Sequence, residues 1–288
     1  MHGTSSLEYY RTKQIVSRYL PRRRATILDI GGGPGRYSFW LAGKGHRVHL
    51  VDAMTLHVRQ ARDAQRRAKR RLASISLGDA RNIDFEDRIA DTVLLFGPLY
   101  HLVERKERLE ALSEAYRALK PGGIVFAAGI SKFTSALDGS RGMFIRDPAF
   151  MKIVKQDLKN GQHRNPKNVP EYFTTAFFHH PAELEAEIRQ AGFKSVKVHA
   201  VTGFAWLLSS FDKLWSSREL RARLLAILER TELEPSLMGV SERPFAGDGE
   251  KVTVFKRHAQ PSRILYRRTY RTWESKSDLL QTRQNKEM

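Results

Sequence analysis

The chain has 288 residues, no cysteine and a formal net charge of +19. This length allows one α/β domain with an insertion, or two small domains, with an ample core. The lack of cysteine excludes disulfides, thiolate nucleophiles and cysteine-ligated metals, and no apolar run approaches the roughly 18 residues of a transmembrane helix. We therefore expect a soluble cytoplasmic protein, and the positive charge favours an anionic partner such as nucleic acid.

The first predicted elements form a nucleotide-binding βαβ unit, preceded by an amphipathic helix at residues 7–20. Glycines in the turn of such a unit let a ligand lie against the backbone, and an acid after the second strand can bind both ribose hydroxyls. The unit consists of a strand at residues 26–30, a glycine turn at residues 31–35, a helix at residues 37–42, a second strand at residues 46–51 and the acid Asp52.

The glycine spacing indicates which nucleotide binds. A dinucleotide fingerprint that starts at Gly31 needs glycine or alanine at position 36, but this position is Arg36. The pattern present is DxGxGxG, formed by Asp29, Gly31, Gly33 and Gly35. It resembles motif I of the class I methyltransferases that depend on S-adenosylmethionine (SAM).

Two later features are similar to the same family. Asp79-Ala80 follows a predicted third strand at residues 73–77, where Asp79 could accept a hydrogen bond from an adenine amino group. Leu-Lys-Pro-Gly-Gly at residues 119–123 precedes a predicted fifth strand. Between strands two and three, residues 55–72 form a basic helix, which we interpret as a solvated face, with a nucleic-acid surface as the alternative.

The resemblance covers residues 7–130 and implies a Rossmann-like, doubly wound α/β fold with a seven-strand sheet. It also implies SAM as the cofactor, lying across the carboxyl ends of the first four strands. Methyl transfer from SAM requires no metal. The cofactor-binding residues that we predict are Asp29, Gly31, Gly33, Gly35, Arg36, Asp52, Ala53, Asp79, Ala80, Phe96 and Tyr10.

Residues 131–181 interrupt the alternation of strands and helices, so we predict a mainly helical insert that serves as a substrate lid. Its aromatic residues form either the walls around a ligand or a small core of the insert itself. The alternation then resumes, with a long helix at residues 204–231. We assign residues 1–256 to the methyltransferase domain and residues 257–288 to a basic tail of low order.

The segment after the fourth strand usually helps to set the chemistry of the nucleophile in this superfamily. Here Gly-Pro-Leu-Tyr-His-Leu follows Phe96, and the polar residue found in many amino methyltransferases of nucleic acids is absent. We predict catalytic roles for Tyr100 and His101, which follow the fourth strand, and for His179, which the insert should bring towards the same point. His101 is the preferred base, because an imidazole titrates near neutral pH and can accept a proton. The alternative for His101 is that it caps the next helix or touches the cofactor.

Two functions follow from these observations. The first is transfer of a methyl group from SAM to an oxygen or nitrogen nucleophile of a small molecule. The second is a methyltransferase, or a SAM-fold module, that acts on RNA or another anionic polymer through the basic surface. An oxidoreductase is a more distant third, and the sequence leaves the methyl acceptor and the oligomeric state open.

Overall fold

The computed structural model describes residues 4–142, 144–241 and 251–256. Eleven α-helices and nine strands lie in these described ranges. The strands are β1 (Thr26–Ile30), β2 (Arg47–Asp52), β3 (Ser74–Leu77), β4 (Ala90–Leu95), β5 (Leu119–Ser131), β6 (Gln162–His163), β7 (Ala176–His179), β8 (Lys194–Val198) and β9 (Lys251–Lys256).

The helices flank the sheet or lie in the segments that connect its strands. They are α1 (Thr4–Tyr19), α2 (Arg36–Gly43), α3 (Thr55–Arg67), α4 (Pro98–His101), α5 (Arg105–Ala118), α6 (Thr134–Arg141), α7 (Pro148–Asn160), α8 (Pro181–Gln190), α9 (Phe211–Ser216), α10 (Arg218–Thr231) and α11 (Pro235–Met238).

The main sheet confirms the predicted doubly wound architecture. Strands β1 to β5 are parallel and lie in the order β3-β2-β1-β4-β5, with β9 antiparallel to β5 and β8 antiparallel to β9. These seven strands match the predicted number. The strand order reverses between β1 and β4, and ligands of open α/β sheets bind in the crevice outside the carboxyl ends of such a strand pair.

The core lies in two layers, one on each face of the sheet. On one face, α1, α2 and α3 contribute Ile15, Leu41 and Ala61. On the other face, α5 and α8 contribute Leu112 and Ile188 among the buried residues. Because helices cover both faces, the central strands are apolar along almost their whole length, which is why β1 could be recognised from the sequence.

The segment between β5 and α8 is less purely helical than predicted. It contains α6 and α7, but also the short strands β6 and β7, which pair with each other. Strand β7 runs parallel to the end of β5, with Ile130 opposite Phe178 and Ser131 opposite His179. Strands of two and four residues are too short to show an alternating pattern, so the sequence did not reveal them.

The single helix predicted at residues 204–231 is wrong. The structure has a 3-10 turn at Ala205–Leu207 and then two helices, α9 and α10, which are separated at Ser217. The Ser217 hydroxyl accepts a hydrogen bond from the backbone N–H of Leu220 at 3.3 Å and so caps α10. The predicted tail at residues 257–288 lies outside the described residues.

None of the helices in the described ranges is both long enough and apolar enough to cross a membrane.

Candidate active site

The glycine turn lies against the start of α4, where the strand order reverses. Gly31 has a φ of +72°, and its N–H donates to the Val51 carbonyl at 2.7 Å. A Cβ atom at Gly31 would lie only 2.6 Å from Cδ of Pro98. The turn after β1 and the segment after β4 can therefore meet only because Gly31 lacks a side chain.

The open side of the turn is at Gly33. This residue has a φ of +56°, and no atom lies within 4 Å of the position that its Cβ would occupy. Gly35, with a φ of +90°, packs instead against the ring of Phe39. The backbone of the turn is thus anchored on both sides of an open space beside Gly33. This open space is a cradle in which a ligand can lie against the main chain.

Asp29 supports this turn from beneath. It is 1% exposed, and its Oδ2 accepts a hydrogen bond from the Ser38 hydroxyl at 2.5 Å. A Cβ at Gly32 would come within 2.9 Å of the Asp29 carboxyl group. Burial raises the pKa of Asp29 to about 6. The contacts of Asp29 hold the turn and α2 together, and its predicted contact with the cofactor stays a prediction.

Asp52 lies beside Gly33, as predicted for an acid at the end of β2. Its Oδ2 accepts from the N–H of Gly33 at 2.7 Å, and its Oδ1 accepts from the N–H of Met54 at 2.9 Å. Nδ1 of His57 lies 3.0 Å from the same Oδ1. The carboxylate is therefore fixed at the glycine turn, where it can accept hydrogen bonds from the ribose hydroxyls. Ala53, the next residue, is exposed at the same strand end.

Helix α1 contributes Tyr9 to this region. The Arg36 guanidinium lies 4.0 Å from the centre of the Tyr9 ring, and the Tyr9 and Tyr37 rings are 5.5 Å apart. Tyr37 in turn contacts Phe96, the buried residue after β4, at 5.0 Å. The Tyr10 ring lies 6.0 Å from that of Trp215, and its predicted contact with the cofactor stays a prediction.

Asp79, which we predicted to bind the adenine amino group, pairs with Arg81 in the structure. The Arg81 guanidinium donates to both carboxylate oxygens of Asp79, at 2.9 Å from Nε and 2.5 Å from Nη2. These hydrogen bonds lower the pKa of Asp79. Ala80 is buried in the core formed by α5 and α8, so it packs against protein.

Tyr100 and His101 lie in α4 and differ in exposure. Tyr100 is 6% exposed and packs with Ile130 and Phe178, whereas His101 is exposed, with its ring 4.6 Å from that of Tyr100. Tyr100 thus connects α4, beside the cofactor crevice, with the segment after β5. Whether either residue takes part in the chemistry stays a prediction.

His179 lies on the opposite side of β7 from Phe178. It is fully buried, and its Nε2 is 3.4 Å from Oε2 of Glu187, which also accepts two hydrogen bonds from Arg108, at 2.9 and 2.7 Å. Burial lowers the pKa of His179. Burial alone would raise the pKa of Glu187, but hydrogen bonds from His179 and Arg108 lower it to about 2. This buried network holds α8 against α5, and a catalytic role for His179 stays a prediction.

A cavity next to Tyr100 was only partly predicted. Its volume is about 40 Å³, and it lies within the segment after β5. Aromatic walls were one of the two alternatives for this segment, but the polar residues of the cavity were missed because they are divided between α6, β6 and a 3-10 turn at Pro170–Tyr172. The lining residues are Ile130, Thr134, Ser135, Asp138, Phe150, His163, Glu171, Tyr172, Phe173 and Phe178.

Comparison with known proteins agrees with this geometry. Residues 27–123 match a family model described as a methyltransferase domain. The chain is similar to a ubiquinone/menaquinone biosynthesis C-methyltransferase, UbiE, of Acidiphilium cryptum, with 28% identity over 70% of this chain and 80% of that protein. The UbiE protein of Chromobacterium violaceum is 29% identical over 62% of this chain and 70% of its own.

Solved structures show the same fold. A SAM-dependent methyltransferase of Methanosarcina mazei superposes with a TM-score of 0.55 at 21% identity, over 85% of this chain and 98% of that one. Phosphoethanolamine N-methyltransferase 2 of Haemonchus contortus, in complex with SAM, gives a TM-score of 0.53 at 19% identity, over 87% of this chain and 53% of that one.

Residues 27–123 carry a methyltransferase domain, and the fold around it is that of the SAM-dependent methyltransferases to which the chain is similar. These findings agree with the class I resemblance found in the sequence. The cofactor is SAM, and the open cradle at Gly33 beside the Asp52 carboxylate fits it.

Proposed function

We propose that the protein transfers a methyl group from SAM to an oxygen or nitrogen nucleophile of a small molecule. The observation that carries this proposal is the cavity beside Tyr100, because it is small and is lined by both aromatic and polar side chains. Ligand sites are typically concave, with mostly apolar walls and a few polar groups that orient the ligand. The named C-methylation of the UbiE relatives concerns those proteins, and a carbon nucleophile is an outcome of the test below.

The residues around the site supply positioning and exclusion of water. Bound SAM offers a methyl group on a sulfonium, and the acceptor lone pair displaces the thioether as the new bond forms. Asp52 and the glycine turn hold the cofactor, while Tyr9, Tyr37 and Phe96 form an apolar wall between α1 and β4. Holding the two reactants in line and keeping water away account for most of the catalysis in such a transfer.

His101 is the residue that we assign to proton transfer from the acceptor. It is exposed in α4, directly after β4, and an imidazole can take a proton from a phenol or an ammonium group near neutral pH. We expect His101→Ala to lower kcat about a hundredfold, in the range of general-base catalysis, while SAM affinity stays unchanged.

The assay measures S-adenosylhomocysteine release with a panel of phenols, alcohols and amines, and mass spectrometry locates the new methyl group. His46→Ala is a matched control, because His46 lies before β2, at the opposite edge of the sheet. Full turnover of His101→Ala at saturating acceptor would remove this residue from the chemistry. A product methylated only on carbon would overturn the assignment of the nucleophile.

A second candidate function is binding of RNA or another anionic polymer. It is favoured by the exposed cations at the end of α3 and in the loop before β3, which are Arg66, Arg67, Lys69, Arg70 and Arg71. The helix of a parallel crossover returns from the carboxyl edge of the sheet to its amino edge. These cations therefore lie at the edge opposite the glycine turn, which argues that such a polymer would bind away from the methyl donor.

A further inference from the structure

The cavity beside Tyr100 contains a carboxylate that lacks a close partner. Asp138 on α6 is half-buried, and no hydrogen bond or ion pair of its side chain is found among the described residues. Burial raises the pKa of Asp138, and the more distant charge of Arg141 opposes this shift. A carboxylate in such a place gains free energy from any cation that enters the cavity.

A second polar group at the cavity is also without a partner. Thr134 lies one helical turn before Asp138, so both residues are on the same face of α6. It is 6% exposed, and its Oγ1 makes no hydrogen bond within the described part of the chain. A buried hydroxyl that is left unpaired costs free energy, and a ligand with an N–H group would satisfy it.

Aromatic rings form much of the remaining wall. The rings of Phe150 and Tyr172 are 5.0 Å apart, and those of Phe173 and Phe178 are 6.0 Å apart. The face of an aromatic ring attracts a cation, most strongly where water is excluded. Rings and carboxylate together therefore favour a positively charged group over an anion, and over a neutral alkyl group that would leave Asp138 unpaired.

The one basic side chain of the lining is neutralised within the wall. Nδ1 of His163 lies 2.8 Å from Oδ2 of Asp157, which is completely buried, and Nε2 lies 2.6 Å from the carbonyl oxygen of Tyr172. The His163 ring stacks on Phe178 at 4.4 Å. The Asp157 carboxylate beside Nδ1 offsets any positive charge on the His163 ring, so this residue adds little repulsion towards a cation.

The wall is held firmly in place. The Asn165 side chain donates to the carbonyls of Val169 and Phe173, at 2.8 and 2.7 Å, and accepts from the N–H of Val169. Phe173 has a φ of +66°, a strained value for a bulky residue that persists only where the surroundings impose it. The cavity is thus a built feature of this segment, and not a gap left by loose packing.

We propose that this cavity binds the ammonium group of the methyl acceptor, so that the acceptor is a small cationic amine. Its nitrogen attacks the methyl group only after the proton has passed to His101, which frees the lone pair. The inference rests on the function proposed above and names its substrate class. The volume of about 40 Å³ limits the bound part to a few heavy atoms, since one water already needs roughly 10–15 Å³. Glu171, an exposed residue of the lining, adds a second negative charge that attracts the cation.

The test uses methylammonium chloride as the probe and methanol as a neutral probe of the same size. Saturation-transfer NMR measures binding of each probe to the full chain in the presence of SAM. We expect methylammonium to bind saturably, and Asp138→Asn to weaken it about tenfold, as expected for loss of a charge-assisted contact. Thr134→Val should weaken it by a smaller factor. Asp212→Asn, which removes an exposed carboxylate on α9, should bind like the wild type.

Two results would overturn the assignment. One is equal methylammonium affinity in the wild type and in Asp138→Asn, with SAM affinity showing that the variant is folded. The other is binding of methanol as tightly as methylammonium. If Asp138→Asn fails to bind SAM, the methylammonium affinities of Thr134→Val and Phe150→Leu decide in its place. Wild-type affinity in both variants would then overturn the assignment.

Turnover separates this inference from the proposed function. With amine acceptors, methylammonium should compete with the acceptor and Asp138→Asn should raise KM. Efficient transfer to neutral phenols, with no effect of methylammonium, would overturn the cationic acceptor and leave the proposed function intact. Absence of transfer to every small acceptor would overturn the proposed function, whatever the binding experiment shows.

Discussion

At the scale of single residues, Asp52 has a structural role and is also the residue that we expect to bind the ribose of SAM. The same carboxylate that faces the glycine turn also fixes it, through the N–H groups of Gly33 and Met54. A ligand that approaches Gly33 therefore meets an acceptor that is already oriented. Such pre-organisation lowers the entropic cost of binding.

We expect Asp52→Ala to weaken SAM binding about ten- to a hundredfold, because a charge-assisted hydrogen bond contributes about 1.5–3 kcal/mol. The free energy of unfolding should also fall, since two backbone N–H groups lose their acceptor. Calorimetry measures the affinity, and Asp63→Ala, on the exposed side of α3, is the control with the same change in charge. Unchanged affinity in a folded Asp52→Ala protein would show that the acid does not contact the cofactor.

Residue-scale predictions were sharpest where the backbone sets the position. The glycine turn and Asp52 follow from strand ends, so their proximity could be derived from the order of elements. Side chains are harder to place, because a shift of one residue turns a helical side chain by about 100°. Tyr10 lies beside Trp215, and Asp79 pairs with Arg81, two residues later, contacts that no local pattern predicts.

At the scale of elements, helix α1 is attached through a buried ion cluster. Glu232, which follows α10, accepts hydrogen bonds from Arg11 and from Arg18 of α1, and it lies 3.2 Å from Nδ1 of His199. Nε of Arg11 also donates to the carbonyl of Val201 at 3.3 Å. Because Tyr9 belongs to the same helix, this cluster sets the position of the wall near the glycine turn.

We expect Glu232→Gln to lower the free energy of unfolding by about 3–5 kcal/mol, because it leaves the buried Arg11 without a counter-charge. Burial alone would raise the pKa of Glu232, but hydrogen bonds from His199, Arg18 and Arg11 outweigh it and lower this pKa far below the ordinary value of 4.5. A lowered pKa means that the stabilisation is fully present above pH 4.5 and is lost as the pH falls below it.

The difference between the wild type and Glu232→Gln should therefore shrink on acidification, as measured by urea unfolding at several pH values. Glu229→Gln is the matched control, because Glu229 is half exposed and lies 3.6 Å from Arg18. An exposed pair of this kind contributes at most about 1 kcal/mol. A difference between the wild type and Glu232→Gln that does not depend on pH would contradict this account.

At the scale of the whole molecule, the excess of positive charge is unevenly distributed. Arg67, Lys69, Arg70 and Arg71 are all exposed within five positions, and no ion pair of these side chains is found in the part of the chain that the structure describes. They lie at the amino edge of the sheet, whereas the glycine turn and the cavity beside Tyr100 lie at the carboxyl edge.

We expect replacement of these four residues by serine to reduce the affinity for single-stranded RNA at low salt, and to leave kcat/KM for a small acceptor unchanged. The dependence of log affinity on log salt should become shallower by about 0.7 for each lost phosphate contact. Fluorescence anisotropy at several salt concentrations measures this slope, and a variant with lysine at all four positions keeps the charge as a control. A loss of kcat/KM in the serine variant would show that the basic surface belongs to the transfer site.

The sequence was most informative about the parts of the fold that repeat. Helix and strand alternate up to β5, so hydrophobic periodicity and glycine-rich turns were enough to place these elements along the chain. The doubly wound sheet and the cofactor at its carboxyl edge were implied by the resemblance to class I methyltransferases. The segment after β5 follows no such repeat. Its cavity depends on contacts between distant residues, such as Asp157 with His163 and Asn165 with Phe173, which no local pattern predicts.

The pairing of Ser131 with His179 brings together the two ends of the segment that we propose to bind the acceptor. The chain leaves β5 after Ser131 and comes back through β7, which ends opposite it at His179, and paired strands lie only about 4.8 Å apart. Any segment whose two ends meet at that spacing can be joined to the same sheet without moving the cofactor crevice. Exchange of residues 132–178 between related chains is therefore a route to new acceptors that preserves the methyl donor.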